Sequence, residues 1–137
     1  MKSACKQIGI DHDIVKHFPI DIQKHLPKEI ASIEVSSAKS QQLNWTYRKK
    51  RTPANVLSFF YSLEYGEIIV CPVLIRAEAK RQGNSFQYQM TWMIVHGMLH
   101  LAGVHHEASA NKAERRFEQI ERRVLQKFKK HNTLLST

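Results

Sequence analysis

The chain is nearly without cysteine. Its two, Cys5 and Cys71 in 137 residues, are too few for a disulfide framework and too far apart for a CxxC metal knuckle. Both are expected to be reduced and buried. It also lacks a long hydrophobic run: no apolar stretch reaches the roughly 18 residues that a membrane span needs, so no membrane association is expected. The opening Met1-Lys2-Ser3-Ala4-Cys5-Lys6-Gln7 has none of the apolar core of a secretory signal, and the chain is expected in the cytoplasm. Repeats, low-complexity tracts and Gly/Ser linkers are missing too, which leaves one domain over 1–137.

Acidic residues are also scarce. Asp and Glu number 12 against 21 Lys and Arg, a net charge of +9. A surplus of that size favours polyanions, most often nucleic acid, although excess lysine also keeps a small protein in solution. Two clusters carry much of it. Arg48-Lys49-Lys50-Arg51 is a run of four ahead of an expected strand, a candidate for phosphate contact. The stretch from Lys112 to Lys130 holds eight Lys or Arg against three Glu, the composition of the wet face of a helix.

With 42% hydrophobic and 24% charged residues the balance is that of a globular protein large enough for one core. Pro19 and Pro27 interrupt any long helix in the first thirty residues, where a short strand near Lys6–Ile10 and a short helix are expected. Ile33-Glu34-Val35 alternates as a strand does. Ser36 or Ser37 caps a helix that runs through Leu43 towards Arg48. Asn55-Val56-Leu57-Ser58-Phe59 reads as a strand, and Gly66-Glu67-Ile68-Ile69-Val70-Cys71 as another, buried on both faces. Pro72 opens a helix that ends at Gly83. Ser85 caps the next, with Phe86, Met90, Met93, Ile94 and Leu101 on its apolar face. Ser109 caps a last helix in which Phe117, Ile120, Val124 and Phe128 recur at helical spacing. These elements predict an α/β (α+β) fold, a small mixed sheet of about four strands packed with helices.

The most informative segment is His96-Gly97-Met98-Leu99-His100-Leu101-Ala102-Gly103-Val104-His105-His106. Positions i and i+4 share a helix face, so His96 and His100 aim two imidazoles at one point. Gly103 suits the positive φ that ends a helix, and His106 returns as a third ligand. Three nitrogens with a fourth position open are the pattern of a catalytic zinc site. The spacing is that of the HExxHxxGxxH zinc hydrolases, but Gly97 stands where those enzymes carry their general-base Glu. The usual metalloprotease mechanism therefore lacks its base.

Leu43-Asn44-Trp45-Thr46-Tyr47-Arg48-Lys49-Lys50 with Pro53-Ala54-Asn55-Val56-Leu57-Ser58-Phe59 resembles the "LN-x-x-YR … TDVLSF" block of the YbeY family, bacterial metal-dependent endoribonucleases of ribosomal RNA maturation. Gly66-Glu67-Ile68-Ile69 resembles its "GDI-x-I" strand, and His96 to His106 its "HGxLHLxGyDH" signature, Gly97 included. The blocks keep the family's order and cover about Leu43 to Glu107. The resemblance implies an α/β fold and a zinc-like ion held by His96, His100 and His106. It places the family's active-site arginine on Arg48 and the serine after "VL" on Ser58, near the same cleft. His105 replaces the Asp before the last histidine, Ala54 the Thr before "DVLSF", and Glu67 the Asp of "GDI". Histidine at 105 can replace that acid, carry a proton or compete as a ligand; Glu107 lies two residues on.

Cleavage of RNA needs an activated nucleophile and relief of charge on the phosphorane-like transition state. Zinc supplies a bound water of pKa about 7 and polarises a phosphoryl oxygen. Arg48 offers a bidentate grip on phosphate that lysine does not reproduce; the bland alternative is a helix-end arginine bonding carbonyls. The resemblance implies a zinc-dependent, single-strand-specific endoribonuclease of 16S ribosomal RNA maturation and ribosome quality control. Its expected partners are RNA and the ribosome rather than DNA, and its metal zinc or another divalent transition ion. A metal hydrolase of a peptide or small amide and a non-cutting ribosome-associated RNA-binding factor are the competing readings.

Overall fold

A computed structural model of the chain describes residues 5–9, 12–104 and 111–130, with side chains from 14 to 104 and from 116 to 127. Four strands, β1 (Cys5–Gly9), β2 (Glu29–Val35), β3 (Val56–Phe60) and β4 (Tyr65–Val70), form one mixed sheet in the order β1-β2-β4-β3. β1 is antiparallel to β2 and β3 to β4, whereas β2 and β4 run parallel, Glu29 opposite Tyr65 through Glu34 opposite Val70. The parallel pair needs a crossover. Helix α3 (Ser37–Arg48) begins it and the β3–β4 hairpin completes it. Two single-turn helices, α1 (His12–Val15) and α2 (Ile20–Gln23), precede β2, α2 starting just after Pro19. Helices α4 (Pro72–Gln82), α5 (Phe86–Leu101) and α6 (Asn111–Lys130) follow the sheet.

Local chemistry sets the helix ends. The Ser36 hydroxyl accepts from the Lys39 amide at the start of α3, and the Ser85 hydroxyl from the Tyr88 amide at the start of α5. Pro72 occupies the first turn of α4, which stops at Gly83 with φ +75°. The expected Ser109 cap of α6 lies outside the described residues.

Successive residues of β4 face opposite ways. Ile68 and Val70 join Met98, Leu99, Ile94, Ile75, Phe117 and Val124 in the main core under α4, α5 and α6. Ile69 joins Val35, Leu57 and Leu43 in a smaller core under α3. Interior placement buries Ile68, Ile69 and Val70 to 7% exposure or less, as their unbroken apolar run predicts.

The expectation for α5 needs correcting. Met90, Ile94 and Leu101 are buried and Phe86 and Met93 pack against the core, but so do Val95, Met98 and Leu99 on other sides of the helix. The sheet, α4 and α6 cover α5 on several sides, so a single apolar face describes it too narrowly. Its buried polar groups are paired: Thr91 Oγ1 donates to the Gln87 carbonyl and Gln89 Oε1 accepts from Asn84. A central, packed helix is a rigid platform for side chains at its exposed corner.

Candidate metal centre

His96 and His100 stand one turn apart near the end of α5, their Nε2 atoms 3.3 Å apart and ring centroids 4.9 Å apart. Two ligands held at about 2.0–2.1 Å by a tetrahedral ion lie about 3.3 Å from one another. The two imidazoles thus already converge at the separation that such an ion imposes. Phe117 of α6 presses on both rings, with centroids 4.9 Å from His96 and 5.3 Å from His100.

The turn after α5 is also built as the sequence predicts. Gly103 has φ +83°, its amide donates to the His100 carbonyl, and the Val104 amide donates to the Leu99 carbonyl. That pair of bonds is the Schellman closure, and it reverses the chain just beyond His100. His105, expected to replace the family's acid, carry a proton or compete as a ligand, and His106, the expected third ligand, lie outside the described residues. Among the described residues no group of three or more His, Cys, Asp or Glu gathers as a ligand set.

One residue of the site escaped the sequence reading. Glu121 Oε2 of α6 lies at hydrogen-bond distance, 2.8 Å, from Nδ1 of His96, and the residue is only 9% exposed. The signal was present: 117, 120, 121 and 124 share one stripe of α6, and an acid there sits among Phe117, Ile120 and Val124 on the buried side.

Ser58 of β3 lies beneath the same turn. Its hydroxyl donates at 2.9 Å to the carbonyl of Gly97, the residue after His96. A Cβ on Gly97 would stand 3.0 Å from both Ile68 Cγ2 and Ser58 Oγ. Position 97 therefore faces the sheet, and the general base of a protease has no room there.

Arg48 is not joined to the histidines by any contact among the described residues. It is the exposed last residue of α3, on the sheet face opposite α5, and Tyr47 beside it packs on Phe59 of the edge strand β3 at 5.0 Å. The basic run straddles this helix end: Lys49 takes a left-handed φ of +58°, and Lys49 and Arg51 lie over the Trp45 ring. Side chains of α3 hold the loop that follows. Gln41 donates to the Arg51 carbonyl, Asn44 to that of Thr52 and Ser40 to that of Ala54, each at 2.7 Å. The second basic cluster is the exposed face of α6, where Arg116, Arg122, Arg123 and Lys127 meet solvent. Cys71 is a free, fully buried thiol, and the Cys5 side chain lies outside the described set.

A cleft of about 600 Å³ runs along α3 beside Trp45 and Arg51 and contains neither histidine. A smaller one of about 430 Å³ lies between α5 and α6 and is lined in part by Trp92, Glu121 and Arg122. The second is nearer the chemistry, because Glu121 reaches from its wall to His96. No helix among the described residues is long and apolar enough to cross a membrane.

Residues 8–129 match the family described as Endoribonuclease YbeY. The Endoribonuclease YbeY of Thermotoga petrophila is 34% identical over 110 residues, which is 75% of this chain and 73% of that protein. The Endoribonuclease YbeY of Pseudoalteromonas translucida is 38% identical over 104 residues, 71% of this chain and 67% of that one. A solution structure of a Thermotoga maritima protein superposes with a TM-score of 0.52 at 26% identity, over 90% of this chain and 82% of the other.

Proposed function

We propose that this chain, which belongs to the endoribonuclease YbeY family, is a zinc-dependent endoribonuclease that cuts single-stranded segments of ribosomal RNA in 16S maturation and ribosome quality control in the cytoplasm. The observation that carries the metal reading is the convergence of the His96 and His100 Nε2 atoms at 3.3 Å. His106, three residues beyond Gly103 in the sequence, is proposed as the third ligand. Bound zinc, or another divalent transition ion, would supply Lewis acidity at a phosphoryl oxygen and a water of pKa near 7.

The chain's own residues do the rest. Arg48 grips a non-bridging phosphate oxygen from the end of α3, where its planar fork adds to the charge. Lys49, Lys50 and Arg51 hold neighbouring phosphates from a loop already fixed by Ser40, Gln41 and Asn44, so binding costs little further ordering. Exposed Tyr47, Phe60 and Tyr61 offer ring faces to unpaired bases. Ser58 keeps the His96–Gly97 turn in register with β3, and His105 handles a proton where the family carries an acid. The crowding at Gly97 weighs against peptide or amide hydrolysis, and the membership weighs against a binder that cuts nothing. The test is incubation of metal-loaded protein with an end-labelled single-stranded ribosomal RNA fragment. Cleavage that chelation abolishes and metal restores is expected; intact RNA in the presence of fully loaded protein would overturn the proposal.

A further inference from the structure

We infer that Glu121 is a positioning residue of the metal site: it holds the His96 ring with the proton on Nδ1, so that the Nε2 lone pair faces the point shared with His100. The inference rests on the metal reading above and adds a residue to it. A carboxylate accepts hydrogen bonds, so the 2.8 Å contact between Glu121 Oε2 and His96 Nδ1 favours the tautomer with the proton on Nδ1. The neutral ring then has its lone pair on Nε2, the atom that lies 3.3 Å from His100 Nε2. A ligand histidine whose other ring nitrogen donates to a carboxylate gains both orientation and basicity.

The placement of Glu121 is specific. Its side chain is 11% exposed, and an unpartnered carboxylate there carries a large desolvation cost. One turn earlier on the same helix, Phe117 is fully buried and touches both histidine rings. Ile120 and Val124 fasten this side of α6 to the core. A single helix face therefore sets the tilt of the two rings through Phe117 and the tautomer of one through Glu121. A purely structural ion pair would not need an Nε2 turned towards a second imidazole.

The experiment measures zinc affinity by competition with a chromophoric chelator, for the full chain and for E121Q and E121L. Leucine fills a similar volume in the core but cannot accept a hydrogen bond, whereas glutamine keeps an acceptor without the charge. Removal of such a partner lowers metal affinity about 10–100-fold, so E121L is expected at the far end of that range and E121Q between it and the parent. Nitrogen-15 NMR of the histidine rings in the metal-free parent is the second readout, and needs no variant to fold. Its expected result is that the neutral form of the His96 ring carries its proton on Nδ1 rather than on Nε2. Parental zinc affinity in E121L, or a neutral His96 ring with its proton on Nε2, overturns the role of Glu121 and leaves the metal reading standing. A parent protein that binds no zinc overturns the metal reading, and this inference with it.

Discussion

The Ser58 hydroxyl donates at 2.9 Å to the Gly97 carbonyl, tying the edge strand to the helical turn that bears the two histidines. Removing it in Ser58→Ala is expected to cost about 0.5–1.5 kcal/mol of stability, the usual net worth of such a bond. Gly97→Ala poses a competition. The helix gains about 1 kcal/mol when a glycine gives way to alanine. Against that, a Cβ 3.0 Å from Ile68 and Ser58 overpacks the site, at about 1–3 kcal/mol. The overpacking wins, so the urea midpoint of Gly97→Ala is expected to fall; a rise would mean that the sheet yields to the methyl group.

Arg48 separates binding from chemistry. Arg48→Lys keeps the charge without the fork, and an interaction made mainly in the transition state appears in rate rather than in affinity. Cleavage is expected to slow by tenfold or more, about 1.4 kcal/mol of barrier, with metal content and RNA affinity little changed. Parental cleavage rates in single-turnover assays would make Arg48 a helix-end residue with no part in the reaction.

The basic loop answers to salt. Replacing Lys49, Lys50 and Arg51 together by glutamine is expected to weaken RNA binding. The slope of log affinity against log salt should flatten by about 0.7 for each phosphate of the single strand that is no longer neutralised. Fluorescence anisotropy across a salt series measures it. An unchanged slope would leave the run as charge matched to the carbonyl end of α3.

Tyr65 should titrate late. Its phenol donates to Glu67 at 2.6 Å, and that bond, with burial and the Glu67 charge, pushes its pKa from 10.0 up to about 12. Burial and the same carboxylate also raise Tyr61. The folded chain thus holds the Tyr65 proton more tightly than the unfolded chain does. The resulting stabilisation is complete below pH 10 and is lost as pH rises towards 12. Ultraviolet titration of Glu67→Gln should return the late phenol towards its ordinary range; an unmoved titration would remove Glu67 as the cause.

Much of this frame was legible in the residues. Ser36 and Ser85 cap helices, Pro72 opens one, Gly83 and Gly103 take positive φ, and the apolar run in β4 marks an interior strand, because each signal acts within a few residues of itself. What escaped depends on distant parts of the chain. The parallel pairing of β2 with β4 is fixed by packing on both faces of the sheet. Burial of α5 on several sides depends on α4 and α6 arriving from elsewhere. Lys49 in the left-handed region breaks the glycine rule for helix ends. The HxxxH spacing shows two ligands within one turn, whereas Glu121 reaches His96 from 25 residues away and only the fold brings them together.

The most direct test of the account is the zinc content of the purified chain under metal-replete conditions, set beside that of His96→Ala and His100→Ala. The convergent imidazoles predict one ion per parent chain and no stoichiometric binding in either variant, each still folded by circular dichroism. Absence of stoichiometric metal in the parent, or full retention in both variants, would contradict a metal centre built on His96 and His100.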